Sequence, residues 1–332
     1  SKKLVNLKYC LENSHMIKVK NLTKRYVNMN AVDDISFHVK ENEIVGLLGP
    51  NGAGKTTTMR ILTCFMPATA GSATVAGYDV FTDSLNVRQQ IGYLPENVPL
   101  YLDMRAYEYL MFRAKLKNIP RRERRKKIEY CLEMTGITDV QKQIIGTLSK
   151  GYKQRVGLAD TLIHDPKILI LDEPTIGLDP NQIRQIRGVI KGLGQKHTVL
   201  LSTHILPEVE MVCDRVMIIN KGKIVAMDTP GNLMKQLKTG SNLVLEVKGD
   251  GEKIKNSLSG IDTVETVTYR KKDDANEFYI NGNGDKDIRE DVFNCIVKDN
   301  YILREMKKQT ITLEEIFHQV TTKETEEETA NA

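Results

Sequence analysis

Gly49-Pro50-Asn51-Gly52-Ala53-Gly54-Lys55-Thr56 is a complete G-x-x-x-x-G-K-[ST] element, and it decides how the rest of the chain is read. Before it stands an apolar run, Ile44-Val45-Gly46-Leu47-Leu48, which predicts a buried strand. After it comes a helical pattern over 57–65, closed by Pro67 and Gly71. Strand, glycine-rich loop and helix in that order are the context of a phosphate-binding loop. The glycines let the backbone wrap phosphates, so that its N–H groups and the helix N-terminus face the negative charge. Lys55 offers a point charge to the β- and γ-phosphates, and the Thr56 hydroxyl a ligand for Mg²⁺. The nucleotide-binding candidates here are thus Gly49, Pro50, Asn51, Gly52, Ala53, Gly54, Lys55, Thr56 and Thr57.

Further along, Ile168-Leu169-Ile170-Leu171 runs into Asp172-Glu173. A buried strand that ends in two carboxylates supplies the oxygen ligand that Mg²⁺ needs beside phosphates. Successive strand residues point to opposite faces, so the two acids take different tasks. Asp172 is assigned to Mg²⁺ through water, and Glu173 to the attacking water as general base. A phosphate loop by itself leaves kinases and GTPases open; the added glutamate favours ATP hydrolysis over transfer to a second substrate.

Alternating strands are expected at 17–20 and 35–39, and continuous apolar strands at 167–171 and 198–202, the latter of the kind buried in a parallel sheet. From 101 to about 165 the pattern is helical, with Tyr109, Phe112 and Leu116 on one face. Helices at 181–192 and 206–213 separate the later strands, and 215–220 with 224–227 reads as a hairpin. Residues 1–15 form a polar leader, and 238–241 reads as a linker. Beyond it, strand 242–248, helix 252–259, strands 263–271 and 276–281, helix 286–298, strand 301–307 and helix 312–322 suggest a ferredoxin-like α+β module over 242–322. Residues 323–332 read as an acidic disordered tail.

The 332 residues suggest two domains, and 40% hydrophobic with 27% charged residues is ordinary globular composition. No apolar run approaches the ~18 residues of a membrane span. The net charge of +5 hides an asymmetry: residues 1–240 carry +12 and residues 241–332 carry −7. Five scattered cysteines (Cys10, Cys64, Cys131, Cys213, Cys295) without a C-x-x-C pair fit a reducing compartment and small apolar core residues. The basic run 121–127 follows Pro120 and reads as a solvated helix face, since no aromatic residues are interleaved with its charges. His15, His38, His164, His197 and His318 have no acid–base partner visible in the sequence.

Taken together the motifs resemble the ATP-binding cassette (ABC) family over about residues 16–230. Leu148-Ser149-Lys150-Gly151-Tyr152-Lys153-Gln154-Arg155 is similar to that family's signature sequence, Gly177-Leu178-Asp179 to its D-loop, and Ser202-Thr203-His204 to its switch histidine. Tyr26 stands where the family places an aromatic under the adenine. The resemblance implies an α/β P-loop NTPase core at 16–238, with an antiparallel β-subdomain, a parallel-sheet core and a helical subdomain at about 97–165. It also implies a head-to-tail dimer that sandwiches ATP and Mg²⁺, with Ser149 and the Gly151 N–H reaching the γ-phosphate of the other subunit. His204 would hold the γ-phosphate and the water, and Asp179 would communicate across the dimer. Hydrolysis would then drive separate transmembrane permease subunits, the chain itself lying peripherally on the cytoplasmic face. No nucleic-acid partner is expected.

Two departures from the family pattern are visible. Glu96 replaces the usual glutamine; a carboxylate still ligates Mg²⁺ but donates no hydrogen bond while ionised. Lys150 and Tyr152 replace the commoner glycine and glutamine of the signature. These departures, with Gly92-Tyr93-Leu94-Pro95-Glu96-Asn97-Val98-Pro99-Leu100-Tyr101, resemble the ATPases of gliding-motility and antibiotic-exporter systems, as does Leu313-Glu314-Glu315-Ile316-Phe317. The alternative is a non-transport ABC ATPase of translation or DNA maintenance. The chain's single P-loop argues against the translation type, and the short spacing between P-loop and signature against the DNA-repair type. An intact Glu173 argues against a regulator without turnover.

Overall fold

The computed structural model describes residues 15–27, 29–236, 242–272, 274–282 and 287–308. Residues 1–14 of the expected leader, Cys10 among them, the linker at 238–241, the helix at 312–322 with its 313–317 element, His318 and the acidic tail lie outside the described residues, while His15, expected in the leader, begins the first strand. The chain divides into two compact units, one up to Pro230 and one from Gly231.

In chain order the first unit contains β1 (His15–Tyr26), β2 (Met29–Lys40), β3 (Ile44–Leu48), α1 (Lys55–Leu62), β4 (Ala70–Val75), β5 (Tyr78–Asp79), α2 (Ser84–Gln90) and β6 (Ile91–Leu94). It continues with α3 (Ala106–Leu116), α4 (Arg121–Met134), α5 (Lys150–Leu162), β7 (Ile168–Asp172), α6 (Pro180–Leu193), β8 (Thr198–Thr203), α7 (Leu206–Val212), β9 (Arg215–Asn220) and β10 (Lys223–Asp228). Helix α8 (Pro230–Gln236) straddles the division.

Six strands form the central sheet in the order β10-β9-β3-β8-β7-β6. All its pairs are parallel except the β9–β10 hairpin. Every residue of β3, β7 and β8 is buried, which is why these strands are continuous apolar runs rather than alternating ones. A second, antiparallel sheet has the order β2-β1-β4-β5. Its inward positions alternate as expected: Ile17 and Val19 on β1, and Ile35, Phe37 and Val39 on β2, are buried. Met59, Ile61 and Leu62 of α1 share one core with both sheets, so the helix after the glycine-rich loop is clamped between them. At about 25 cal/mol per Å² of apolar surface removed from water, each such side chain contributes on the order of 2 kcal/mol.

The helical region resolves into α3, α4 and α5. Of its expected inward residues Tyr109 is buried, whereas Leu116, in the last turn of α3, is 56% exposed. Arg122 and Arg125 on α4 face solvent while Ile128, Cys131 and Leu132 face inward, so the basic run is a solvated helix face. Cys131 and Cys213 are buried, Cys64 and Cys295 half-buried, and all four are free thiols. Strands β4, β5 and β6 and helix α2 were not expected from the sequence. β4 reads Ala-Gly-Ser-Ala-Thr-Val with only Ala73 and Val75 buried, and β6 is four residues long, so neither carries a strong periodic signal.

The second unit contains β11 (Asn242–Lys248), α9 (Gly251–Ser259), β12 (Val264–Lys272), β13 (Ala275–Gly282), α10 (Arg289–Lys298) and β14 (Ile302–Lys308). The succession is βαββαβ, on an antiparallel sheet ordered β12-β13-β11-β14. Ile254 and Leu258 of α9 and Val292 and Ile296 of α10 pack with Leu243, Leu245, Val247, Phe278 and Ile280 in a core of its own.

Candidate functional site

The loop between β3 and α1 owes its shape to close backbone approaches. Gly54 has φ +105°, and a Cβ there would stand 2.3 Å from the Ala31 carbonyl oxygen. A Cβ at Gly49 would stand 2.4 Å from the Ile219 carbonyl oxygen. Only glycine fits either position. The Gly49 N–H donates to the Thr203 carbonyl at 3.3 Å, the Ala53 N–H to Pro50 at 3.2 Å, and the Gly222 N–H to Ala53 at 3.0 Å. The loop is thereby tied to the ends of β8 and β9 before any ligand arrives. Helix α1 starts at Lys55, two residues ahead of its expected start, directly after the left-handed Gly54.

Lys55 is nearly buried. Its ammonium donates to the carbonyls of Gly49 at 2.7 Å and Pro50 at 3.1 Å, and faces Glu173 Oε1 at 3.2 Å. The other Glu173 oxygen, Oε2, lies 2.9 Å from His204 Nδ1. An ionised carboxylate only accepts, so His204 carries the proton on Nδ1 in this contact. Glu173 itself has φ +47°, a left-handed conformation that a non-glycine side chain holds only under constraint. The constraint is visible: its N–H donates to Ser202 Oγ at 2.9 Å.

Asp172 Oδ1 accepts from Ser202 Oγ at 2.6 Å and from Thr56 Oγ1 at 3.2 Å, while Oδ2 is buried with no hydrogen-bond partner among the described residues. A hydroxyl and a carboxylate with a spare oxygen are hard donors of the kind Mg²⁺ takes, the remainder of its octahedron coming from phosphates and water. The residues present fit Mg²⁺.

Asn51, Gly52, Gly54, Lys55, Thr56, Thr57, Glu96 and Glu173 line one cavity of about 310 Å³, so Glu96 from the loop after β6 does reach the phosphate loop. Asp172 and His204 join it through the hydrogen bonds above. Tyr26 does not line that cavity; it ends β1, 43% exposed, with its hydroxyl 3.4 Å from Met66 Sδ. Ser149 caps α5 by accepting from the Tyr152 N–H at 3.4 Å, and Asp179 caps α6 by accepting from the N–H groups of Asn181 and Gln182. Gly151 abuts the Gln182 side chain, and the Lys150 ammonium lies over Gly177. Signature and D-loop are therefore neighbours of each other, and Ile176, directly before the D-loop, lines the phosphate-loop cavity.

Two further residues belong to the site. Ser202 holds both Asp172 and Glu173, and its signal in the sequence is a lone hydroxyl at the end of an apolar strand. Tyr93 on β6 is half-buried beside Asp172. Burial, then the Asp172 charge, pushes its hydroxyl up to about 12, so it remains neutral.

The ABC transporter family model matches residues 32–176. The chain is 36% identical over 257 residues to the linearmycin resistance ATP-binding protein LnrL of Bacillus subtilis, across 77% of this chain and 83% of the relative. It is 39% identical over 214 residues to the bacitracin transport ATP-binding protein BcrA of Bacillus licheniformis, across 64% and 69%. It is also similar to the dimeric post-hydrolysis structure of the ATP-binding cassette MJ0796 bound to ADP and Pi, with a TM-score of 0.59 and 27% identity, across 64% of this chain and 98% of that one. Identity of this extent over most of a relative's length shows that the chain belongs to the ABC transporter family, as one of its ATP-binding and ATP-hydrolysing subunits.

Proposed function

We propose that two copies of this chain close head to tail on ATP, and that the cycle drives export through separate membrane subunits. The observation that carries the catalytic part is the chain of contacts from Lys55 to Glu173 to His204 at the mouth of the phosphate loop. An arriving γ-phosphate takes Glu173's place at the Lys55 ammonium and releases the carboxylate to face a water. Glu173 then accepts a proton as the water oxygen bonds to the γ-phosphorus. The bond to the β–γ bridging oxygen breaks with its electron pair going to ADP, and phosphate leaves. His204 holds Glu173 in place through Nδ1 and orients the attack. Mg²⁺, held by Thr56 and Asp172 with Glu96 nearby, would neutralise charge on the phosphate oxygens.

The N–H groups of Asn51, Gly52 and 54–57 bind the phosphates, and the exposed Tyr26 stacks on the base. Ser149 and Gly151, at the N-terminus of α5, complete the partner subunit's site. Asp179, capping α6 beside them, carries the state of one site to the other. The dimeric MJ0796 structure with ADP and Pi supports this reading. No helix among the described residues is long and apolar enough to cross a membrane; membership of the ABC transporter family supports a peripheral subunit on the cytoplasmic face with separate permeases. Relatives named for linearmycin resistance and bacitracin transport support antibiotic export as the task.

The test is Glu173→Gln with ATP on a sizing column. A stable dimer without turnover supports the reading, and a variant that stays monomeric and hydrolyses normally overturns it. Co-purification of a membrane protein with the tagged chain tests the transport part.

A further inference from the structure

A buried acid beside His204 has no part in the steps above. Glu208, in the first turn of α7, is 3% exposed. Its Oε2 accepts from Thr203 Oγ1 at 2.9 Å, and that same Thr203 oxygen accepts from the Ile205 N–H at 3.0 Å. The residues on both sides of His204 are thus tied into one small network. Thr203 also accepts from the Gly49 N–H through its carbonyl, so the network continues into the phosphate loop.

The other oxygen, Glu208 Oε1, faces Arg187 Nη2 on α6 at 3.9 Å. Neither Oε1 nor Arg187 Nε has a hydrogen bond among the described residues. A carboxylate buried with one oxygen unmatched is unfavourable for stability alone, and a hydrophobic residue would fill the same space without that cost. What the carboxylate does supply is a fixed acceptor for the Thr203 hydroxyl, one residue before His204.

We propose that Glu208 is a positioning residue. It locks the Thr203–Ile205 turn so that His204 Nδ1 meets Glu173, and through Arg187 it joins that turn to the helix capped by Asp179. This rests on the reading above in which Glu173 and His204 act on ATP. Holding an imidazole in register contributes to the rate rather than to nucleotide affinity, because the Lys55 and loop contacts do not pass through Glu208.

The experiment is steady-state ATPase kinetics of the full chain carrying Glu208→Ala, Glu208→Gln, Thr203→Val, Thr203→Ser or His204→Ala, each with a thermal unfolding curve. Glu208→Ala is expected to lower kcat roughly 10-fold or more, in the range known for displaced catalytic groups, with KM for ATP within about 2-fold. Glu208→Gln, whose amide oxygen still accepts from Thr203, restores most of the rate. Thr203→Val reproduces the loss and Thr203→Ser does not, a comparison that turns on the hydroxyl. The double variant Glu208→Ala/Thr203→Val is no slower than either single one.

An unchanged kcat in Glu208→Ala beside a large loss in His204→Ala overturns the proposal and leaves the catalytic reading standing. Losses that track unfolding temperature and are shared by kcat and KM also overturn it, since they mark a merely structural residue. A wild-type rate in His204→Ala instead overturns the catalytic reading itself.

Discussion

Ser202→Ala removes one oxygen from a fully buried position and disturbs both acidic residues at once. Ser202 Oγ donates to Asp172 Oδ1 at 2.6 Å and accepts from the Glu173 N–H at 2.9 Å. A hydrogen bond to a charged group contributes about 1.5–3 kcal/mol, and a buried N–H left without a partner costs about 1–3 kcal/mol. Partial relaxation lowers the sum, so a loss of about 3 kcal/mol in stability is expected. For a domain of this size each kcal/mol moves the melting temperature by roughly 2–4 °C, which predicts a fall of about 6–12 °C. Activity falls further than stability implies. With its N–H released, Glu173 is free to leave φ +47°, and its carboxylate moves off the line between Lys55 and His204. A misplacement of that kind costs on the order of 100-fold in kcat. Differential scanning calorimetry and ATPase assays at a temperature well below the melting point separate the two effects. A variant that melts within 2 °C of the wild type (roughly 1 kcal/mol or less by the same conversion) and keeps its kcat would refute this account of how the acids are held.

Gly54→Ala places a methyl group 2.3 Å from the Ala31 carbonyl at a left-handed φ, so nucleotide binding should be lost in a fluorescent-ATP titration. At His164, Nδ1 accepts from Lys117 at 2.8 Å and Nε2 donates to the Ile91 carbonyl at 3.0 Å. Burial, reinforced by the Lys117 charge, lowers the His164 pKa to about 4. The unfolded chain takes up this proton near pH 6.5 and the folded one near 4, so stability falls as pH drops through that window, by up to about 3 kcal/mol. Urea titrations from pH 7 to 4 should show that slope in the wild type and a shallower one in His164→Gln.

The phosphate loop, the paired acids of 172–173 and the buried strands were legible in the sequence because each rests on a local pattern: a fixed glycine spacing, or a continuous apolar run. The role of Ser202 was not, because it depends on the register that sets β7 against β8 and places Ser202 opposite Asp172. Tyr93 and Glu208 are equally tertiary, as their partners are distant in sequence or on another face of the turn. The contact of Gly151 with Gln182 belongs to the same kind, since only the packed subdomain brings α5 against α6. Short strands of small residues, β4 above all, were invisible for another reason. Ala73 and Val75 are its only buried side chains, too few to show a period.

The central claim is that Glu173, held between Lys55 and His204, acts as the general base of ATP hydrolysis. Measuring single-turnover hydrolysis and equilibrium ATP binding on Glu173→Gln tests it most directly. The amide keeps the size of the side chain but takes up no proton, so the hydrolysis rate should fall at least about 100-fold, as general-base removal does, with ATP affinity kept or raised because Lys55 loses its carboxylate partner. Hydrolysis at the wild-type rate by this variant would contradict the account.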